Sequence, residues 1–166
     1  NNWRDELGLR WMSPAQEDAQ AYIAGLCGEL GALGFDEIVL ENFAFPIQGR
    51  LDRINQGESY NAAQFTQELE GLLDQVEQSV APYGTKISLW VERDTLAGTE
   101  KVSGVTGALL ERYAHRIWVR EDELEPAAAD LLEPAGIGGG LERLVAVTSS
   151  HAQDSPVVQA EIGPEE

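Results

Sequence analysis

Two glutamates that close short aliphatic runs carry the chemistry this sequence could support. Glu41 ends Phe35-Asp36-Glu37-Ile38-Val39-Leu40-Glu41, and Glu92 ends Lys86-Ile87-Ser88-Leu89-Trp90-Val91-Glu92. Cleavage of a glycosidic bond needs such a pair, one carboxyl group protonated as acid and the other ionised as nucleophile or base. Arg120 closes a third run and is a cation able to orient one of them. Trp90 and Trp118 offer apolar indole faces that match the C–H faces of pyranose rings, each with an N–H donor at its edge. Asn42 follows Glu41, Asp94 is a reserve carboxylate just past Glu92, and His151 follows a fourth run in Ser149-Ser150-His151. A plainer reading stands beside each. With 29 acidic residues, strand-end glutamates are common by chance. They would then form a solvated rim or an ion pair with Arg120, and the tryptophans would be ordinary core.

Composition removes several function classes. The chain has 166 residues, 43% hydrophobic and 24% charged, which is one domain's worth of core-forming sequence. Its formal charge of −18 repels phosphate backbones and anionic lipid, so neither nucleic acid nor a membrane surface is an expected partner. No apolar run approaches the roughly 18 residues that a spanning helix needs, so no membrane insertion is expected. One cysteine, Cys27, and two histidines, His115 and His151, make neither a disulfide framework nor a dense metal cluster, and no metal or cofactor is expected. Gly136 to Gly140 lacks the lysine and the helix that a phosphate-cradling loop requires, and reads as a connector.

The elements that would position the candidates follow from periodicity. Ser13 and Pro14 open a predicted helix to Leu33, with Gln16 completing a capping box, Ile23, Leu26, Cys27, Leu30 and Leu33 on one stripe, and Gly34 as stop. A second helix spans Ala62 to Ala81, capped by Asn61 and Gln64, with Phe65, Leu69, Leu72, Leu73, Val76 and Val80 on its face. A shorter helix runs from Gly104 to Tyr113 and another from Pro126 to Leu132. Strands are expected at 35–42, Lys86 to Glu92, Arg116 to Arg120 and Arg143 to Thr148. The domain is taken as residues 1–150 and the remainder, 151–166, as a mostly irregular tail.

Helix–strand alternation repeated four times implies α/β architecture with a parallel sheet. Ile38, Leu40, Ile87, Leu89, Val91, Ile117 and Val119 occupy one set of alternate positions. The other set holds Glu37, Val39, Glu41, Ser88, Trp90, Glu92, Arg116, Trp118 and Arg120. A barrel interior, with chemistry at its C-terminal rim, accounts for this second set better than an open sheet does.

Trp11-Met12-Ser13-Pro14, Tyr22-Ile23, Leu33-Gly34-Phe35-Asp36-Glu37-Ile38 and Phe45-Pro46 resemble the core signature of a glycoside hydrolase-type domain family, once catalogued as a domain of unknown function. The resemblance covers roughly Trp11 to Pro46. It sets the family's strand-end aspartate on Glu41, its tyrosine on Asn42 and its arginine on Ala44. It implies a TIM-barrel, glycosidase-like fold of which this chain is a (β/α) half-barrel, the C-terminal half, together with a carbohydrate partner and an extracellular or cell-envelope location. The expected activity is O-glycosyl hydrolysis through Glu41 and Glu92, with Trp90, Trp118, Arg120, Asn42, Asp94 and His151 binding substrate. The alternative is a non-catalytic glycan-binding or structural module of a cell-envelope protein, which the loss of the arginine at Ala44 favours. Open sheet edges associate, so either a homodimer or a missing N-terminal half-barrel is expected.

Overall fold

A computed structural model describes residues 11–47, 62–120, 127–148 and 158–161. Their contacts fall into two compact units. The first draws on Asn1–Ile38, Asn42–Lys86 and Lys101–Val105, the second on Val39–Glu41, Ile87–Glu100 and Thr106–Glu166.

In the first unit, helix α1 (Glu17–Ala32) packs along helix α2 (Phe65–Val80). The α2 face is the predicted one: Phe65, Leu69, Leu72, Leu73, Val76 and Val80 are all buried. The α1 face is not. Gln20, Ala24, Cys27 and Gly31 are buried, whereas Leu26 and Leu33 are exposed and Ile23 and Leu30 only half-buried. Both stripes share the helical period and differ by rotation about the axis. Small residues win because they let the helices approach closely, with Gly28 near Ser79 and Gly31 against the Tyr83 ring. Gln20 joins them because its amide is satisfied: its Nε2 donates to Pro14 O at 2.7 Å, and its Oε1 accepts from Gln75 Nε2 at 2.7 Å.

The start of α1 also differs from expectation. Ser13 and Pro14 form a preceding turn, with Ser13 Oγ accepting from Ala15 N and Ser13 O from Gln16 N, so Gln16 is the cap residue and no capping box forms. Gly34 does stop the helix, in the left-handed region at φ 90° that glycine enters without strain. Cys27 is buried, and that burial pushes its thiol pKa up. Phe45 stacks on Phe65, the ring centroids 3.6 Å apart. Among the expected caps, Asn61 lies outside the described residues.

The sheet has five strands where four were expected: β1 (Glu37–Leu40), β2 (Lys86–Val91), β3 (Ile117–Arg120), β4 (Leu144–Thr148) and β5 (Val158–Glu161). The fifth lies in the stretch expected to be irregular. Its four residues give too short an alternation to stand out, and it forms by pairing with β4. Helices α3 (Arg93–Leu96) and α4 (Gly107–Tyr113) follow β2. The helix expected to end at Leu132 is a single 3₁₀ turn, Ala128–Leu131, and Pro126 lies outside the described residues. Pro134 follows too soon for an α-helix to propagate.

Strand order is β1-β2-β3-β4-β5, and the β2–β3, β3–β4 and β4–β5 pairs are each parallel in register. Parallel crossovers are almost always right-handed. Sequential order therefore keeps successive connections on one face, whereas a doubly wound sheet reverses its order at a switch point. The fold is α/β, with the winding of a partial (β/α) barrel. Leu89, Ile117 and Leu144 share one level of the ladder, and each is fully buried.

Within the second unit, α4 is held at both ends. Thr106 Oγ1 accepts from Leu109 N at 3.1 Å. At the other end Arg143 donates to Ala114 O at 2.6 Å and Glu111 O at 3.2 Å, and pairs with the Glu111 carboxylate. Gly138 N also donates to Glu111, at 3.0 Å. The glycine loop thus serves a structural carboxylate. The Gly138 hydrogen bond, then Arg143, hold the Glu111 carboxyl below its ordinary pKa.

A carboxyl depressed in the folded state stabilises above its unfolded pKa, and that gain vanishes as pH falls through the folded value. Glu111→Gln should therefore lower Tm at neutral pH, with the gap to the parent protein closing as pH drops through the carboxylate range. Thermal unfolding followed by circular dichroism across pH reads this directly. A gap that persists in acid would show that the carboxylate charge is not responsible.

Candidate functional site

The site is built by strand register. The ladder pairs Trp90 with Trp118, Trp118 with Val145 and Val145 with Val158. Residues at one level of a parallel ladder point to the same face, so these four form a row. One step towards the strand ends, Arg120 pairs with Val147 and Val147 with Ala160. Extrapolated by one residue past β2, the same register brings Glu92 level with Arg120. On the other side, Lys86 N donates to Asp36 O at 2.8 Å, which sets Lys86 opposite Glu37. Continued residue by residue, that pairing brings Glu41 level with Trp90.

Trp90 and Trp118 therefore share one level of one sheet face, with Arg120 on the next, and continuing the registers one residue past β1 and β2 assigns Glu41 to the first level and Glu92 to the second. Strand spacing and rise put the Cα atoms of Glu41 and Glu92 about 8 Å apart on the diagonal. Both glutamates and Arg120 are exposed, while the tryptophans are half-buried. The indoles lie 6.3 Å apart at 33° to each other. Arg116, on the same face below, holds its guanidinium 5.9 Å from the Trp118 ring centroid. Val145 and Val147 close the far side and are buried.

The remaining candidates are placed differently. Asn42 adopts φ 53°, a left-handed conformation that asparagine tolerates better than most residues, so the chain turns sharply straight after Glu41. Asp94 lies in the first turn of α3, exposed, with its backbone carbonyl receiving Thr99 N and Glu100 N. His151 lies outside the described residues. His115 sits exposed at the foot of β3 and donates its backbone N–H to Ile87 O.

Two features escaped the sequence reading. Ser88 is a fully buried hydroxyl on the same face, and its Oγ accepts the Arg116 N–H at 3.0 Å. Alternation gave its face but not its burial. Arg93 opens α3 with both terminal guanidinium nitrogens buried and, among the described residues, without a hydrogen-bond partner. It is flanked in sequence by Glu92 and Asp94, and the sequence reading did not single it out. The Trp118 indole N–H and the Thr148 hydroxyl are likewise buried and unpartnered among the described residues. No cluster of metal-ligating side chains occurs among the described residues. No described helix is long and apolar enough to cross a membrane.

A singly wound parallel sheet with its helices defines an α/β domain with the winding of a partial (β/α) barrel. Residues 1–99, more than half of the chain, match the model of one family, described as "Putative glycosyl hydrolase domain", and the chain belongs to that family. No curated protein and no solved structure matches it.

Arg93 gives a sharp stability test. A buried guanidinium without hydrogen bonds costs free energy that an apolar side chain of similar length does not. Arg93→Met should hold or raise stability, by about 1 kcal/mol, whereas Arg93→Ala should lower it by losing the packed stem. Urea unfolding of both variants measures the pair. A marked loss in Arg93→Met would mean that the guanidinium is paired in solution.

Proposed function

We propose that this domain hydrolyses an O-glycosidic bond in a carbohydrate, with Glu41 as a catalytic carboxylate and Glu92 as its partner. One carboxyl group delivers a proton to the leaving oxygen. The other attacks the anomeric carbon or activates water against it. Arg120, level with Glu92, orients a carboxylate, while Trp90 and Trp118 form subsite walls on which sugar rings stack. Asn42, next to Glu41 in the chain, Asp94, two residues past Glu92, and His151 are further candidates for binding. The observation that supports the reading is the register that sets Trp90 beside Trp118 on the face that Arg120 shares, with Glu41 and Glu92 each one residue past the end of its strand.

A second reading is a glycan-binding module without turnover, at the cell envelope or outside the cell. Two features favour it. Among the described residues neither Glu41 nor Glu92 has a side-chain hydrogen bond or ion pair to hold its carboxylate, and the motif resemblance sets Ala44 at a position where it implies arginine. In either reading β1 and β5 are the edges of the described sheet. We propose that further strands close it, supplied by a second copy or by more of the same polypeptide.

Aryl glycosides and mixed oligosaccharides, assayed by release of phenol or reducing ends, separate the two. Glu41→Gln and Glu92→Gln should each lower kcat/KM by roughly 10²–10⁴-fold, with oligosaccharide binding retained. Undiminished activity in Glu41→Gln would remove that residue from the mechanism. Binding without turnover in the parent protein would favour the second reading.

A further inference from the structure

The β2–β3 ladder is out of step at its lower end. Above, Leu89 N donates to Arg116 O at 3.1 Å, as the pairing of Leu89 with Ile117 requires. One step below, a regular ladder would have Arg116 N–H donate to Ile87 O. His115 N–H takes that carbonyl instead, at 2.7 Å. The Arg116 N–H, left without its ladder acceptor, turns to Ser88 Oγ at 3.0 Å. A backbone N–H drawn away from water needs an acceptor, and at the extra residue the Ser88 hydroxyl supplies it. Bulges of this kind re-aim the side chains beside them. Here the residue at the slip is Arg116, whose guanidinium lies over Trp118, and Trp118 is the indole tilted at 33° against Trp90.

We infer that Ser88 is a positioning residue for the Trp90–Trp118 pair, acting through the Arg116 backbone and the Arg116 guanidinium. It touches no substrate. Its hydroxyl fixes the slip, the slip sets where Arg116 leaves the strand, and Arg116 sets the plane of Trp118. The consequence for sugar binding rests on the proposed carbohydrate site; the consequence for indole geometry does not.

Two variants and two readouts test this. Close indoles give an exciton couplet in circular dichroism, which reports their mutual angle, and Trp90→Phe identifies the couplet by abolishing it. Ser88→Ala should change that couplet and weaken binding of soluble malto- and cello-oligosaccharides several-fold, raising KM more than it lowers kcat. Ser88→Thr, which keeps the hydroxyl, should restore both. A folded Ser88→Ala protein with an unaltered couplet overturns the inference. A changed couplet in a protein that binds none of these sugars leaves Ser88 as a positioning residue and defeats the carbohydrate reading instead. Should Ser88→Ala fail to fold, Arg116→Met keeps the hydroxyl-to-backbone bond and removes the guanidinium from the ring. An unchanged couplet there also overturns the inference.

Discussion

Everything on the candidate face depends on how neighbouring parallel strands hydrogen-bond. Side chains alternate with a period of two, so a shift of one residue would carry Glu41, Trp90, Trp118 and Arg120 to the opposite face. The ladder is anchored on the other side by Leu89, Ile117 and Leu144, fully buried at one level. Their burial makes a full slip of β3 against β2 costly, because it would expose aliphatic side chains and bury charged ones together. The local slip at Ser88 and Arg116 is tolerated because it is confined to the strand entrance and its orphaned N–H finds a hydroxyl.

The two units illustrate different ways of securing secondary structure. Between α1 and α2 the seam is made of small residues and one satisfied glutamine, so close approach replaces bulk. In the second unit a single arginine does the work at a helix end: Arg143 gathers carbonyls from the last turn of α4 and the Glu111 carboxylate that also receives Gly138. Cations are scarce in a chain with 11 basic and 29 acidic residues. Two of those in the second unit have defined roles, Arg143 on a helix terminus and Arg116 over an indole, whereas Arg93 is buried without a hydrogen-bond partner among the described residues.

Much of the architecture was legible in advance. The α2 face, the stop at Gly34 and the parallel α/β class were all readable, because each rests on local periodicity or on a residue whose backbone preference is its own. Errors cluster where periodicity is degenerate. Two stripes with one period compete on α1, and the larger residues lost. β5 is too short to show alternation, and Ala128–Leu131 holds too few residues to choose between helix types. At the candidate site, residue types near strand ends suggested the carboxylates and indoles, while the buried Ser88 hydroxyl and the buried Arg93 guanidinium gave no local sign.

Sequence by itself determined which residues alternate, where α1 stops, and that a tryptophan lies within each of two successive strands, since these follow from neighbours along the chain. Only the tertiary structure decided which rows line up across strands, that β3 enters one residue out of step, and which edge of α1 is buried. Those outcomes depend on hydrogen bonds and packing between segments distant in sequence, where a hydroxyl on one strand can take the place of a carbonyl.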